Sequence, residues 1–373
     1  MVVGVLKETK EYEYRVALVP SGVAALRKRG HTVVVQSGAG AGSNLSDDAF
    51  VAAGAQPAAS AADVFQRAEL ILKVKEPTPE ECALVQGRHI LFTFFHFAAS
   101  RPLTDTLLQR RAACVAYETV EDARGQLPIL IPMSEVAGRM AVQEGAKYLE
   151  KPMKGKGLLL GGLPGVAPAS VVILGGGVVG SNAAKVAAGL GASVTVLDVN
   201  LDRLRYLDDI MPKNVTFLVS NEHTISEALA RADLVICAAL VRGARAPILV
   251  SRSQLKGMRT GTVLVDVSID QGGSAETSRP TTHSSPTYVE EGVVHYCVTN
   301  IPGAVPVTST YGLTNATLPY VVEMADHGLR EALRRNPALA RGLNLMNGQI
   351  VYPALAETFG LPAAALDRVL SDR

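Results

Sequence analysis

The sequence predicts an α/β protein with two doubly wound domains, and three observations point to that class. Short apolar runs of strand length alternate with segments of helical periodicity along most of the 373 residues. Such alternation is typical of parallel sheets covered by helices. The length favours two to three domains. The third observation is a glycine-rich turn near the middle of the chain, between an apolar run and a helical segment.

That turn follows the apolar run 171–174 and has the spacing G-x-G-x-x-G at Gly175, Gly177 and Gly180. Each glycine has a physical role in a βαβ unit. The first permits the tight turn out of the strand, the second lets the backbone approach a pyrophosphate, and the third lets the helix pack closely on the strand. The turn alone is a weak signal, since three glycines after a strand also form simple turns.

A second predicted strand, 194–197, ends at Asp198, which lies 23 residues (198 − 175) after Gly175. This spacing predicts a Rossmann unit, in which the acid accepts hydrogen bonds from ribose hydroxyls. The N-terminus of the intervening helix offers unpaired N–H groups to phosphates. Because a carboxylate repels a 2′-phosphate, we expect the cofactor to be NAD and not NADP.

Composition argues against several classes of partner. With 36 basic and 35 acidic residues the formal charge is +1, tryptophan is absent and aromatics are 5%, so neither nucleic acid nor an anionic membrane is expected. A charge-free run, 157–184, contains prolines and eight glycines and is not expected to span a membrane. With no CxxC and no signal peptide visible, free thiols in the cytoplasm are expected. The cysteines are Cys82, Cys114, Cys237 and Cys297.

The first part of the chain is predicted to form a parallel sheet. The predicted strands are 2–6, 31–36, 70–74, 89–95 and 114–117, and the predicted helices are 20–29, 47–53, 61–67 and 102–110. Ser134 is expected to cap a long helix that ends near Glu150.

After Asp198 the predicted strands are 215–219, 234–238, 261–267 and 293–298, and the predicted helices are 225–230, 318–335, 347–359 and 363–370. The C-terminal helices lie beyond the nucleotide-binding part and are expected to pack on the first domain. The predicted domains are therefore a discontinuous one, 1–130 with 308–373, and an inserted Rossmann domain, 131–307.

Ligands of open α/β sheets bind beyond the carboxyl ends of the strands, where four side chains are predicted. These are Arg15, Lys75, His96 and Asp270. A guanidinium, an ammonium, an imidazole and a carboxylate together suit a small substrate with a carboxylate and a reacting carbonyl or amine. Each residue also has an alternative structural role. Arg15 could form a surface ion pair, and Lys75 could be solvated, with Lys73 as the competing candidate. His96 could be a core histidine, and Asp270 could cap a turn.

Runs of sequence that include these residues resemble the alanine dehydrogenase family, over nearly the whole chain and in order. The runs are GVLKETK at 4–10, EYRVA at 13–17, LKVKEP at 72–77, TF at 93–94 with His96, AYETV at 116–120, PMSEVAGR at 132–139, ILGGGVVG at 173–180, VDVSIDQGG at 265–273, TTH at 281–283 and LTNATLP at 313–319.

The resemblance implies NAD-dependent, reversible oxidative deamination of L-alanine to pyruvate and ammonium. It implies a formate/glycerate dehydrogenase-like substrate domain and a homohexamer. Arg15 would bind the substrate carboxylate, and Lys75 would polarise the pyruvate oxygen or hold the substrate. His96 would be the general acid/base, assisted by Asp270. The implied cofactor-binding residues are Ser134, Gly175, Gly177, Val178, Val179, Gly180, Asp198, Arg203, Ser220, Ala239, Leu240, Val267, Ser268, Ile269, Asp270, Arg279, Val298, Thr299, Asn300 and Ile301.

Alternatives remain open. Glu323 and His327 have i, i+4 spacing on a predicted helix and would share a face, so a divalent metal site is a weak hypothesis beside an ordinary hydrogen-bonded pair. Rival functions are the nucleotide-binding subunit of a transhydrogenase, an opine- or saccharopine-type dehydrogenase, and an NAD sensor without turnover. Family members usually have Met at the position of Ile301 and Arg at that of Val307, which bears on substrate range.

Overall fold

A computed structural model describes residues 1–239 and 245–371 of the chain. The chain divides into two compact units, here called the first unit (Met1–Met133 with Gly303–Arg373) and the second unit (Ser134–Pro302). Each contains one sheet. No helix in the described residues is both long and apolar enough to cross a lipid bilayer.

The first unit contains an eight-stranded sheet with helices on both faces. Its strands are β1 (Val2–Val5), β2 (Thr32–Gln36), β3 (Gln56–Ala58), β4 (Leu70–Leu72), β5 (Ile90–Thr93), β6 (Ala113–Ala116), β14 (Leu343–Met346) and β15 (Gln349–Ile350). Its helices are α1 (Pro20–Lys28), α2 (Asp47–Ala52), α3 (Ala61–Arg67), α4 (Pro79–Leu84), α5 (Arg101–Arg110), α11 (Pro306–His327), α12 (Leu329–Arg335), α13 (Pro337–Gly342), α14 (Pro353–Phe359) and α15 (Leu366–Ser371).

The strand order is β15-β14-β6-β5-β4-β1-β2-β3, and the six strands from β6 to β3 are parallel. Successive residues of β4 lie on opposite faces of the sheet. Leu70 and Leu72 belong to one buried apolar cluster, whereas Ile71 belongs to another. A strand buried on both faces reads as a continuous apolar run, which is why β1, β2, β4, β5 and β6 could be predicted.

The second unit contains the predicted Rossmann unit. Its strands are β7 (Ser170–Leu174), β8 (Ser193–Asp198), β9 (Val215–Val219), β10 (Leu234–Cys237), β11 (Val263–Asp266), β12 (Thr287–Glu290) and β13 (Val293–Tyr296). Its helices are α7 (Val178–Gly189), α8 (Leu201–Ile210), α9 (Glu222–Arg231) and α10 (Arg252–Lys256), and α6 (Leu130–Tyr148) leads into it.

The strand order of this sheet is β12-β13-β11-β10-β7-β8-β9, with only β12 antiparallel. The chain runs outward from β7 through β8 to β9 and then returns to β10 on the other side of β7. The order therefore reverses at β7, directly where the glycine-rich turn follows. In doubly wound sheets this reversal marks the ligand-binding crevice. The predicted α/β class with two mainly parallel sheets is confirmed.

Two helix starts were predicted wrongly. Helix α6 begins at Leu130, so Ser134 lies within the helix and does not cap it. Pro132 is tolerated there because the first turn of a helix has N–H groups without intrahelical partners. Helix α11 begins at Pro306, twelve residues (318 − 306) before the predicted start. Before the predicted start its buried residues are Ser309, Thr310, Leu313, Thr314 and Thr317, so this part lacks the apolar periodicity that signals a helix.

The predicted helices 318–335 and 347–359 were also wrong in part. Gly328, with φ +74°, separates α11 from α12. The segment after Met346 is a hairpin, because Asn347 (φ +54°) and Gly348 (φ +80°) form the two-residue loop between β14 and β15. Asn-Gly is a strong hairpin signal, and it was missed. The elements without a predicted counterpart are β3, β12, β14, β15, α4, α8, α10 and α13.

Candidate active site

The glycine-rich turn of the second unit has the geometry that its spacing predicts. Gly175 has φ +109°, and a Cβ there would lie 2.8 Å from the carbonyl oxygen of Ala238. A Cβ on Gly180 would lie 1.8 Å from the carbonyl oxygen of Gly175, so α7 packs too closely on β7 for any side chain. A Cβ on Gly177, the N-cap of α7, would meet no described atom within 4 Å. Among the described residues, nothing would therefore obstruct a side chain at the N-cap of α7.

Asp198 and Arg203 meet at the same turn. The Asp198 carboxylate accepts the N–H of Gly176 at 2.6 Å and that of Asn200 at 2.8 Å. The Nε of Arg203 donates to the Gly176 carbonyl at 2.6 Å. The carbonyl of Asp198 accepts the N–H of Ser220 at 2.9 Å, which ties the end of β8 to the end of β9. These predicted residues therefore share one edge with the glycines.

The other predicted cofactor residues of the second unit follow the carboxyl ends of β10, β11 and β13. The Ser268 hydroxyl donates to the Ala239 carbonyl at 2.7 Å. Asp270 is exposed and stands in the 3₁₀ helix Val267–Gln271. Asn300 has φ +60°, and its carbonyl oxygen lies 3.2 Å from Nε2 of His283. Val178 and Val179 lie in the first turn of α7. Val298 and Thr299 precede Asn300 in the chain, and the residue after it, Ile301, is buried. Leu240 lies outside the described residues.

Arg279 has a well-defined support. Its guanidinium carbon lies 4.1 Å from the centroid of the Tyr288 ring, and its backbone N–H donates to the Tyr288 hydroxyl at 2.9 Å. That hydroxyl donates to the Thr277 carbonyl at 2.7 Å. The Arg279 side chain is exposed, so it is available to an anionic group while its base is held.

Asp266, which the sequence analysis did not single out, organises the loop after β11. It is fully buried and accepts hydrogen bonds from the N–H groups of Ser268 and Ser274 at 3.0 and 2.7 Å and from the Ser278 hydroxyl at 2.5 Å. Burial raises the pKa of this carboxyl, against the effect of its hydrogen bonds. An acid at the end of a buried apolar run, followed by Gly-Gly, was the available signal.

In the first unit, Arg15 is paired with Glu13. The Nε of Arg15 donates to Glu13 at 2.7 Å and Nη2 donates to it at 2.5 Å, while Nη1 lies 3.0 Å from Sδ of Met133. Burial raises the pKa of the Glu13 carboxyl, but the hydrogen bonds and charge of Arg15 and the charge of Lys75 outweigh it, so the pKa lies below its ordinary value. Since Arg15 is buried, the alternative role as a surface ion-pair partner is wrong.

Lys73 and Lys75 have different environments. Lys73 is 2% exposed and its Nζ lies 2.9 Å from Glu81 and 3.3 Å from Glu8. Burial lowers the pKa of Lys73, and the two carboxylates outweigh burial and raise it. Lys75 is only half-buried, and Glu8 accepts its backbone N–H at 3.3 Å. Lys73 is thus held in a structural ion triad, and Lys75 remains the candidate for substrate.

His96 follows β5 and is exposed, so the alternative of a core histidine is wrong. Its ring stacks on Phe94 with centroids 5.9 Å apart, and its backbone N–H donates to Glu118 at 2.7 Å. Nearby, burial raises the pKa of the Glu76 carboxyl, but its hydrogen bond and ion pair with Lys10 outweigh burial and lower the pKa. Arg15, Lys75 and His96 therefore follow the carboxyl ends of β1, β4 and β5, which are neighbours in the sheet.

A cavity of about 360 Å³ opens at this edge of the first unit, lined by the loops after β1 and β2 and including Glu13, Arg15 and Gly38. A larger cavity, about 430 Å³, lies at the amino ends of β5 and β6, beside His89 and His327. Because ligands of parallel sheets bind at the carboxyl ends, the smaller cavity is the better candidate for part of a substrate site. Its lining includes Arg15 and neither Lys75 nor His96.

The weak metal hypothesis gains no support. Glu323 and His327 both lie on α11, but the Glu323 carboxylate accepts a hydrogen bond from Nδ2 of Asn336 at 2.7 Å. Within residues 1–239 and 245–371, no group of three or more His, Cys, Asp or Glu side chains is placed to hold a metal ion. The hydrogen bond to Asn336 is the structural role of Glu323.

The fold and these residues can be compared with known proteins. A profile described as "Alanine dehydrogenase/PNT, N-terminal domain" matches residues 4–137, and one described as "Alanine dehydrogenase/PNT, C-terminal domain" matches residues 141–353. An alanine dehydrogenase of Methanococcus maripaludis is 53% identical over 373 residues and covers 100% of both chains. One of Halomonas elongata is 55% identical over 361 residues and covers 97% of each chain.

Solved structures agree. An L-alanine dehydrogenase structure superposes with a TM-score of 0.94 at 52% identity and covers 96% of this chain and 99% of the other. A transhydrogenase from Sinorhizobium meliloti superposes with a TM-score of 0.81 at 24% identity, covering 95% and 100%, which is a likeness of fold alone. The two profiles and the identities over the full length show that this chain belongs to the alanine dehydrogenase/PNT family of oxidoreductases.

Proposed function

We propose that the protein catalyses the NAD-dependent, reversible oxidative deamination of L-alanine. Alanine, NAD⁺ and water give pyruvate, ammonium, NADH and a proton. The observation that supports this most is the grouping of Arg15, Lys75 and His96 at neighbouring strand ends of one sheet, in a chain 53% identical over its whole length to an alanine dehydrogenase.

The second unit fits NAD. Within the described residues no side chain caps the N-terminus of α7, and a Cβ on Gly177 would meet no atom within 4 Å, which suits a pyrophosphate. Each Asp198 oxygen accepts one backbone N–H and keeps a lone pair for a ribose hydroxyl. A carboxylate at this place disfavours the extra phosphate of NADP. Held there, NAD⁺ would supply the hydride acceptor for Cα of the amino acid.

Arg15 is the residue that would hold the substrate carboxylate. Glu13 accepts hydrogen bonds from Nε and Nη2 and so holds the buried guanidinium in one orientation at this edge of the sheet. Since charge-assisted bonds of a planar guanidinium are directional, a cation fixed from behind presents its donors in one orientation. The α-carboxylate of alanine or pyruvate would dock there.

Lys75 and His96 would serve the steps that follow oxidation at Cα. Water adds to the resulting iminium, and the carbinolamine then loses ammonia to give the ketone. His96 would accept the proton of the attacking water and return a proton to the leaving amine, and imidazole titrates in the range suited to both tasks. The ammonium of Lys75 would stabilise negative charge on the carbinolamine oxygen. Asp270, exposed at the end of β11, is proposed to assist orientation and proton transfer.

The test is formation of NADH, followed by absorbance, with a panel of amino acids. L-Alanine should be the best substrate, and His96→Ala should lower kcat about 100-fold or more, the usual scale of general acid/base catalysis. Tight NADH binding without alanine-dependent NAD⁺ reduction would favour a sensor or a transhydrogenase subunit instead. Turnover with unchanged kcat in His96→Ala would remove the acid/base role.

A further inference from the structure

His96 has a backbone conformation that L-residues rarely adopt. Its φ is +50° and its ψ +41°, in the left-handed region, and it is the residue before the 3₁₀ helix Phe97–Ala99. A non-glycine residue stays in this region only when its surroundings hold it there. The conformation determines where the imidazole points after the end of β5. The residue that holds this backbone therefore also sets the direction of the side chain.

Glu118 holds it. One carboxylate oxygen accepts the N–H of His96 at 2.7 Å and that of Phe95 at 3.2 Å, and the other lies 3.3 Å from the same Phe95 nitrogen. Glu118 itself stands in the 3₁₀ helix Tyr117–Thr119, directly after the neighbouring strand β6. The carboxylate therefore anchors the loop after one strand to the end of the next.

Aromatic contacts support the imidazole ring of His96. The Phe94 and His96 rings are nearly parallel, 7° apart, and Tyr117 packs edge-on against Phe94 with centroids 5.1 Å apart. Tyr117 is fully buried and precedes Glu118 in sequence. One short segment after β6 thus supports His96 twice, through its backbone and through the face of its ring.

We propose that Glu118 is a positioning residue for His96, which it holds in the left-handed conformation so that the imidazole reaches the reacting atoms. This inference rests on the proposed acid/base role of His96. Without the carboxylate, the loop can relax to an ordinary backbone conformation and swing the imidazole away. Misplacement by about 1 Å at a reacting centre can cost on the order of 100-fold in rate.

The decisive comparison is between two conservative variants. Glu118→Gln keeps an oxygen that can accept both N–H groups but removes the charge, whereas Glu118→Asp keeps the charge but is one methylene too short. Positioning predicts that kcat stays within about fivefold of wild type in Glu118→Gln, since a neutral acceptor forms a weaker bond of the same geometry. It predicts a loss of about tenfold or more in Glu118→Asp. The reverse order would overturn the proposal in favour of a role for the charge alone.

A double-mutant cycle shows whether Glu118 acts through His96. Glu118→Ala should lower kcat about tenfold or more in the wild-type background and have no further effect on kcat in the His96→Ala background. KM for alanine and NADH affinity should stay within about twofold, because neither Arg15 nor the second unit is touched. If kcat of the double variant fell by the product of the two single losses, Glu118 would not act through His96. If Glu118→Ala does not fold, the cycle is run with Glu118→Asp.

Asp122→Ala is the matched control. Asp122 also accepts two backbone N–H groups with its carboxylate, those of Arg124 and Gln126, each at 2.8 Å. It lies four residues (122 − 118) beyond Glu118, and its loop does not include His96. Its variant should keep wild-type kcat, and an equal loss in Asp122→Ala would reduce Glu118 to a general structural cap. A normal kcat in His96→Ala would refute the proposed function itself, whereas a slow His96→Ala with a normal Glu118→Asp refutes only the positioning role.

Discussion

The carboxyl edges of the two sheets are made from different groups. In the second unit the edge consists mainly of backbone, because no described side chain caps the N-terminus of α7 and a Cβ on Gly177 would meet no described atom within 4 Å. In the first unit it consists of charged side chains held by buried partners, Arg15 by Glu13 and the loop of Lys75 by Glu8.

The difference follows from the proposed ligands. A pyrophosphate is large and strongly charged, and several backbone N–H groups together can bind it without a lysine or arginine. A small carboxylate needs a charge at one defined point, and a partly buried cation must be compensated. A backbone site is therefore sensitive to added volume, and a side-chain site is sensitive to lost charge.

The largest effect is expected from added volume at Gly180. Gly180→Ala places Cβ on the carbonyl oxygen of Gly175, 1.8 Å away, and neither backbone can yield without separating α7 from β7. We expect a loss of at least about 3 kcal/mol of stability, the upper range for overpacking, seen as a lowered Tm together with lost NADH binding.

Gly177, the N-cap of α7, and Gly189, its last residue, give the comparison, and Gly189 is the control. Gly177→Ala meets no described atom within 4 Å, so it should keep its Tm and lose NADH affinity by about tenfold or more as Cβ fills the pyrophosphate space. Gly189→Ala also meets none and should raise stability by up to about 1 kcal/mol, with NADH binding unchanged, because alanine favours the helix. Equal behaviour of all three variants would contradict the backbone description of this edge.

The second prediction sets Lys73 against Lys75. Lys73→Ala leaves Glu8 and Glu81 buried without their cation and should cost about 3–5 kcal/mol, measured by urea unfolding. Lys75→Ala removes a half-buried side chain and should change stability by less than about 1 kcal/mol while alanine-dependent NADH formation falls. If Lys75→Ala were less stable than Lys73→Ala, Lys75 would have the structural role and Lys73 would be the candidate for binding substrate.

The smallest effect is expected from pH, through one buried histidine in each unit. Burial lowers the pKa of His89 and of His295 below 6.5. Above 6.5 both are neutral in the folded and unfolded protein, and their contribution to stability is complete. As the pH falls below 6.5 the unfolded chain takes up the protons first, so stability is lost progressively through the folded-state pKa values.

His89 should be the more sensitive of the two. Its Nδ1 accepts the N–H of Gln86 at 2.9 Å, and a proton there would face a donor that cannot turn. Nε2 of His295 faces the Thr277 hydroxyl at 2.8 Å, which can rotate to accept. Tm measured between pH 7.5 and 5.5 should therefore fall less in His89→Asn than in wild type, whereas a parallel fall would show that His89 does not contribute.

The backbone edge could be predicted from sequence because everything it needs lies within 28 residues (198 − 171 + 1) at fixed spacing. The side-chain edge could be predicted only in part. Arg15, Lys75 and His96 were found from strand ends and resemblance. Their partners Glu13, Glu8 and Glu118 were not, because a carboxylate that compensates a buried cation or holds a backbone looks like any surface acid until the fold brings it there.

The same limit explains the misread C-terminal part. The first half of helix α11 buries mainly serines and threonines, which pack well but give no apolar period. Asp266 was not predicted for a related reason. It accepts hydrogen bonds from backbone N–H groups of a loop whose conformation cannot be predicted from the sequence.

The pairing of β14 with β6 also sets an order of events on the ribosome. All seven strands of the second sheet lie between residues 170 and 296, and that sheet is complete once this stretch has been made. The first sheet must wait for Leu343, which pairs with Val115. At about 5–20 residues per second, the 210 residues (343 − 133) that follow Met133 take roughly 10–40 s. A message cut short after codon 302 would therefore yield a whole second sheet beside a first sheet that lacks β14, β15 and the core contributed by α11.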